Sequence, residues 1–96
     1  MEQARTTIRV TVTGRVQGVG YRYFLRRAAE RRKVTGWARN RADGSVEAVI
    51  SGAPDAIEAL LREMRAGPAH ADVAELRQQP VDEPGPREGF VILPSG

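Results

Sequence analysis

Ile8, Val10 and Val12 alternate with Thr7, Arg9, Thr11 and Thr13 at a period of two, so Arg5 to Thr13 reads as a strand with one face buried. Three glycines within Gly14 to Gly20 interrupt that pattern. Beyond them Tyr21, Phe24, Leu25, Ala28 and Ala29 recur at helical spacing, which predicts a helix over about Tyr21 to Lys33. Tyr21 and Phe24 read as core contacts. Arg26, Arg27, Glu30, Arg31 and Lys33 lie on the outward face and read as solvated surface.

A second strand is expected over Trp37 to Asn40, with Thr35 and Gly36 before it, and a third where Val46, Ala48 and Ile50 alternate with Glu47 and Val49. Asp43-Gly44 between the two runs marks a hairpin. After Gly52, Pro54 suits the first turn of a second helix whose apolar stripe is Ile57, Leu60, Leu61 and Met64; Gly67-Pro68 stops it. Val73 to Gln78 reads as a less regular strand, Pro80 to Gly89 as a loop broken by three prolines and two glycines, and Phe90 to Leu93 as a short final strand. The order β-α-β-β-α-β implies an α+β two-layer sandwich of the ferredoxin-like kind. Both helices lie on one face of an antiparallel sheet, with a short C-terminal strand added.

Length changes little in this picture: 96 residues make one small domain, residues 1–96. The absence of cysteine excludes disulfides, thiolate metal sites and a cysteine nucleophile. No run approaches the roughly 20 apolar residues of a membrane span, and the N-terminus lacks the apolar core of a secretory signal, so a cytoplasmic protein is expected. Charge is more telling. Residues 1–44 hold eleven Arg or Lys against three acids, whereas 45–96 hold four against nine. Fourteen of the fifteen basic residues are arginines, whose guanidinium groups suit phosphate oxygens, either of a nucleic acid or of a small phosphorylated molecule.

The stretch Gly14-Arg15-Val16-Gln17-Gly18-Val19-Gly20-Tyr21-Arg22 carries the most chemistry. A glycine-rich turn between a strand and a helix presents successive backbone N–H groups beside the positive end of the helix dipole, and Arg22 in the first turn can add a bidentate guanidinium. It is not a Walker loop, lacking the Gly-Lys-Ser/Thr ending, nor a dinucleotide fingerprint, since an asparagine stands at position 40 where an acid would be needed. From spacing alone a plain tight turn and an anion cradle both stand.

GRVQGVGYRYF, followed by Gly36-Trp37-Ala38-Arg39-Asn40-Arg41-Ala42-Asp43-Gly44-Ser45-Val46-Glu47, resembles the two signature motifs of the acylphosphatase family. Element order and length agree as well, so nearly the whole chain looks like a stand-alone member. Tyr21 occupies a position where phenylalanine is common, a change expected to be harmless to the loop. The chain ends Leu93-Pro94-Ser95-Gly96 where many members end nearer an aromatic, a departure expected to touch stability more than chemistry.

The resemblance implies hydrolysis of acyl phosphates, with Arg22 and Asn40 as the catalytic pair and the backbone of Arg15, Val16, Gln17, Gly18, Val19 and Gly20 wrapping the phosphate. It implies no cofactor and no metal. The expected partners are a small acyl phosphate and inorganic phosphate or a similar anion, with no nucleic acid, no membrane and a monomeric chain. In isolation, Asn40 would be a turn-bonding asparagine, Arg22 a surface arginine and Trp37 a packing residue more often than a substrate platform. His70, the sole histidine, reads as surface.

An RNA-binding or regulatory module of the same fold is the alternative. RNA recognition on such a sheet needs exposed aromatics on the central strands, where this chain presents Thr7, Arg9, Thr11, Thr13, Glu47 and Val49. A regulatory role would fit a damaged motif, and the motif is intact.

Overall fold

The computed structural model describes residues 4–82 and 88–96. Its elements are β1 (Thr6–Arg15), α1 (Tyr21–Arg31), β2 (Thr35–Asn40), β3 (Val46–Gly52), α2 (Pro54–Ala66), β4 (Asp72–Pro80) and β5 (Phe90–Ile92), with sheet order β4-β1-β3-β2-β5. The period-two alternation sends Ile8, Val10 and Val12 into the core beside Ala48 and Ile50 of β3, and the helical stripes of α1 and α2 cover them. Leu25 and Leu60 are fully buried between the layers, each worth about 2 kcal/mol in apolar transfer. This is the α+β sandwich that the residue pattern predicts.

Four differences from the sequence expectation bear on the site or its frame. First, the sheet is mixed. β1, β2, β3 and β4 pair antiparallel, but β5 runs parallel to β2, pairing Trp37 with Val91. β4 and β5 lie at opposite edges of the sheet, and a three-residue strand carries no periodic signal that could reveal its direction.

Second, β1 continues past Thr13 to Arg15 through a register shift at Gly14, whose φ of 113° only glycine adopts readily. Third, α1 ends at Arg31, two residues early. Val34 N–H donates to the Ala29 carbonyl and Lys33 N–H to that of Glu30, while Lys33 takes φ of 57°: a Schellman stop with lysine where glycine is usual. Fourth, β4 extends to Pro80 as an exposed edge strand, so the expected loop begins later; its residues 83–87 lie outside the described residues.

The open face of the sheet is less bare than alternation suggests. Glu47 and Val49 point away from the helices yet are only 5% and 7% exposed. Val49 lies between Arg9 and Trp37 in register, and Glu47 between Thr11 and Arg39. Long side chains lie over the short ones and cover them. Among the described residues no helix is long and apolar enough to cross a membrane.

Candidate active site

β1 and β2 both pair antiparallel with β3 and therefore run in the same direction. Their C-terminal ends, and the N-terminus of α1, consequently meet at one end of the sheet. Val46 on β3 sits in register between Val12 and Asn40, so these two are about 10 Å apart, two strand spacings. The glycine-rich segment leaves β1 at the same end of the sheet at which β2 delivers Asn40.

Within that segment, Val16 is buried and Val19 packs partly against the core, which pins the turn from below. Gly18 and Gly20 adopt φ of 75° and 78° with open space where a Cβ would stand. Glycine is required there for backbone conformation rather than for room. Gly20 is also the N-cap of α1 and supplies no side-chain cap, leaving the N–H groups of the first helical turn unmasked. Among the described residues, no turn or loop hydrogen bond is donated by the amides of Gln17, Gly18, Val19 or Gly20. Arg15 is the last residue of β1, opposite Asp72, and the turn proper runs from Val16 to Gly20.

Arg22 lies in the first turn of α1, half-buried, and its guanidinium has no hydrogen bond or ion pair among the described residues. Asn40 closes β2 on the helix-facing side. Its backbone carbonyl accepts from Gly96 N–H at 3.0 Å, whereas its side-chain Oδ1 is buried and accepts from no group among the described residues. A buried acceptor without a donor is uncommon.

The charges around Asn40 are organised by Glu47. Arg39 Nε donates to Glu47 Oε1 at 2.8 Å, Arg41 Nη1 to the same oxygen at 3.0 Å, and Arg9 Nε lies 3.4 Å from Oε2. Burial by itself would raise the Glu47 carboxyl, but the hydrogen bonds and charges of Arg39 and Arg41 outweigh it and hold the group below the ordinary carboxylate value. The residues on both sides of Asn40 are thereby fastened to one carboxylate. Beyond them, Asp43 Oδ1 accepts from Ser45 N–H at 2.9 Å and from Ser45 Oγ at 2.6 Å, which fixes the β2–β3 turn.

A family model described as acylphosphatase matches residues 8–92. The chain belongs to the acylphosphatase family. It is 47% identical over 89 residues to an acylphosphatase of Rhizobium etli, covering 85% of this chain and 95% of the relative. It is 46% identical to one of Rubrobacter xylanophilus, covering 96% and 86%. The solved structure of an acylphosphatase from Coxiella burnetii superposes with a TM-score of 0.87 at 35% identity over 93% of each chain. Fold, family and enzyme class, a hydrolase, agree across these likenesses.

In this acylphosphatase the residues singled out by their motif, Arg22, Asn40 and the 15–20 segment, lie at the same end of the sheet. Trp37 does not join them. It faces the opposite side of β2, with the Arg39 guanidinium 5.6 Å from its ring, and is packing. His70 is exposed in the turn after α2. Several arginines of the basic first half are already paired: Arg31 and Arg32 both bind Glu63, at 3.0 and 2.6 Å, and Arg39 and Arg41 bind Glu47.

Sequence reasoning missed the roles of two side chains. Glu47 could have been found, because a hairpin closed at Asp43-Gly44 sets Arg39 opposite it. The side chain of Gln17 could not, since the carbonyls it meets are 24 and 28 residues away in sequence.

Proposed function

We propose that the enzyme hydrolyses the carboxyl–phosphate bond of small acyl phosphates, with the backbone of residues 15–20 and the guanidinium of Arg22 holding the phosphoryl group and Asn40 orienting the attacking water; the amides offered are those of Gln17 to Gly20, since Val16 N–H already donates to the Gly14 carbonyl at 3.1 Å. The convergence of the undonated amides of Gln17 to Gly20, the unpaired Arg22 guanidinium and Asn40 at one end of the sheet is the observation that supports this best. A water held by the Asn40 side-chain amide turns a lone pair toward phosphorus.

The chemistry asks little more. As the water oxygen bonds to phosphorus, the phosphorus–acyl oxygen bond breaks and its electron pair leaves as a carboxylate, a weak base that needs no strong general acid. Asn40 cannot take the water's proton near neutral pH, so a phosphoryl oxygen receives it, and inorganic phosphate is the second product. Unpaired amides and Arg22 stabilise the charge on the equatorial oxygens, which is the main demand of phosphoryl transfer. The reading requires no metal or cofactor and involves a small molecule, not a nucleic acid, a membrane or a second copy of the chain. It treats residues 1–96 as one cytoplasmic domain.

Steady-state hydrolysis of acetyl phosphate, with inorganic phosphate as competitive inhibitor, tests it. Arg22→Ala should remain folded and lose phosphate binding. Asn40→Ala should keep phosphate binding and lose about 100-fold or more in kcat. Full activity in either variant would sink the assignment.

A further inference from the structure

We infer that Gln17 is a positioning residue: its side-chain amide ties the phosphate-side turn to the hairpin that carries Asn40, and so sets where the attacking water stands relative to phosphorus. Gln17 Nε2 donates to the Arg41 carbonyl at 2.8 Å and to the Ser45 carbonyl at 2.9 Å. Both carbonyls can only accept, so the orientation of the amide is decided by its partners, and both of its hydrogens are used.

These are the two carbonyls that close the β2–β3 turn. Ser45 O already accepts from Arg41 N–H at 2.9 Å, and Arg41 O from Gly44 N–H at 3.1 Å. Gln17 occupies the second lone pair of each. Arg41 follows Asn40 directly, and Ser45 is itself buried and held by Asp43. The hairpin is therefore rigid without Gln17, and the glycine-rich turn has its own anchors in Val16 and Val19. What the amide adds is the registration of one rigid body on the other. Among the described residues it makes the only side-chain hydrogen bonds between residues 16–20 and the 41–45 turn. Small errors in that registration matter because in-line attack demands reacting atoms about 3 to 3.5 Å apart and aligned.

The inference rests on the catalytic reading of Asn40, and the experiment separates the two. Gln17→Met keeps the length and removes both donors; Gln17→Glu sets a carboxylate against two carbonyls. For both, kcat for acetyl phosphate should fall at least tenfold, while the inhibition constant of inorganic phosphate stays within about twofold and the urea midpoint barely moves. In an Asn40→Ala background, Gln17→Met should cost nothing further, because the group it positions is gone. Unchanged kcat in Gln17→Met, a phosphate inhibition constant rising as far as kcat falls, or a full additional loss in the double variant would each overturn the inference. If Asn40→Ala alone kept full activity, the catalytic reading would fall and this inference with it.

Discussion

The Tyr21 hydroxyl donates to the Met64 carbonyl at 2.7 Å, a buried hydrogen bond from the start of α1 to the last turn of α2. Met64 needs it. Its carbonyl would otherwise bond the N–H four residues on, and that residue is Pro68, which has none. Burial pushes the Tyr21 hydroxyl well above the ordinary tyrosine value, so it stays a donor across the whole working pH range. Tyr21→Phe should therefore destabilise the fold by about 1 to 2 kcal/mol, read as a lower urea midpoint with an unchanged slope. Because the ring remains to hold α1, kcat should be unaltered; a phenylalanine variant as stable as the parent would show that the Met64 carbonyl finds another donor.

Lys33 spends its left-handed conformation on ending α1. A residue with a Cβ at φ of 57° costs about 1 kcal/mol relative to glycine, partly offset by the greater freedom glycine has in the unfolded chain. Lys33→Gly should raise stability by about 0.5 to 1 kcal/mol, measured by thermal or urea unfolding. A lower midpoint would mean that the lysine side chain contributes more than its backbone strain removes.

Acid should weaken the protein through Glu47 and Glu63. Burial, the largest influence on Glu47, is outweighed by Arg39 and Arg41; the Arg32 hydrogen bond is the main influence on Glu63. Both carboxyls are held below their ordinary value of 4.5, so the unfolded chain binds protons first as pH falls. The stability they contribute is whole above about pH 4.5 and is lost as pH drops through the lower folded values. Glu47→Gln should cost about 2 kcal/mol at pH 7, since charged hydrogen bonds are lost from a nearly buried site, and should flatten the acid limb of a stability–pH curve. An unchanged limb would assign the acid sensitivity elsewhere.

Gly14, at the bulge of β1, and Gly18, in the turn, should respond in two different ways. A Cβ at Gly14 would stand 2.3 Å from the Asp72 carbonyl oxygen and 2.6 Å from the Ala74 nitrogen, at a φ of 113°. Gly14→Ala should lose about 3 kcal/mol, the combined result of overpacking against backbone and of strain. At Gly18 the space is empty and only the φ of 75° objects, so Gly18→Ala should lose about 1 kcal/mol. Equal losses at the two positions, by urea denaturation, would refute this division between contact and conformation.

The residue pattern by itself determined the layers. Period two in Ile8–Val12 and Val46–Ile50, helical spacing in Tyr21–Ala29 and Ile57–Met64, and the Asp43-Gly44 hairpin each reflect a local preference that the tertiary fold did not override. The motif residues Arg22 and Asn40 were legible for a different reason: they belong to long contiguous strings, GRVQGVGYRYF and the stretch from Gly36 to Glu47, that can be read without knowing where they meet. Tertiary structure alone decided the rest. Direction of β5, the Arg9–Glu47 ion pair and the Gln17 bridge all depend on partners far away in the chain. Local periodicity records which face of an element is apolar, but a hydrogen bond spanning 24 residues is recorded only in the packing that brings its ends together.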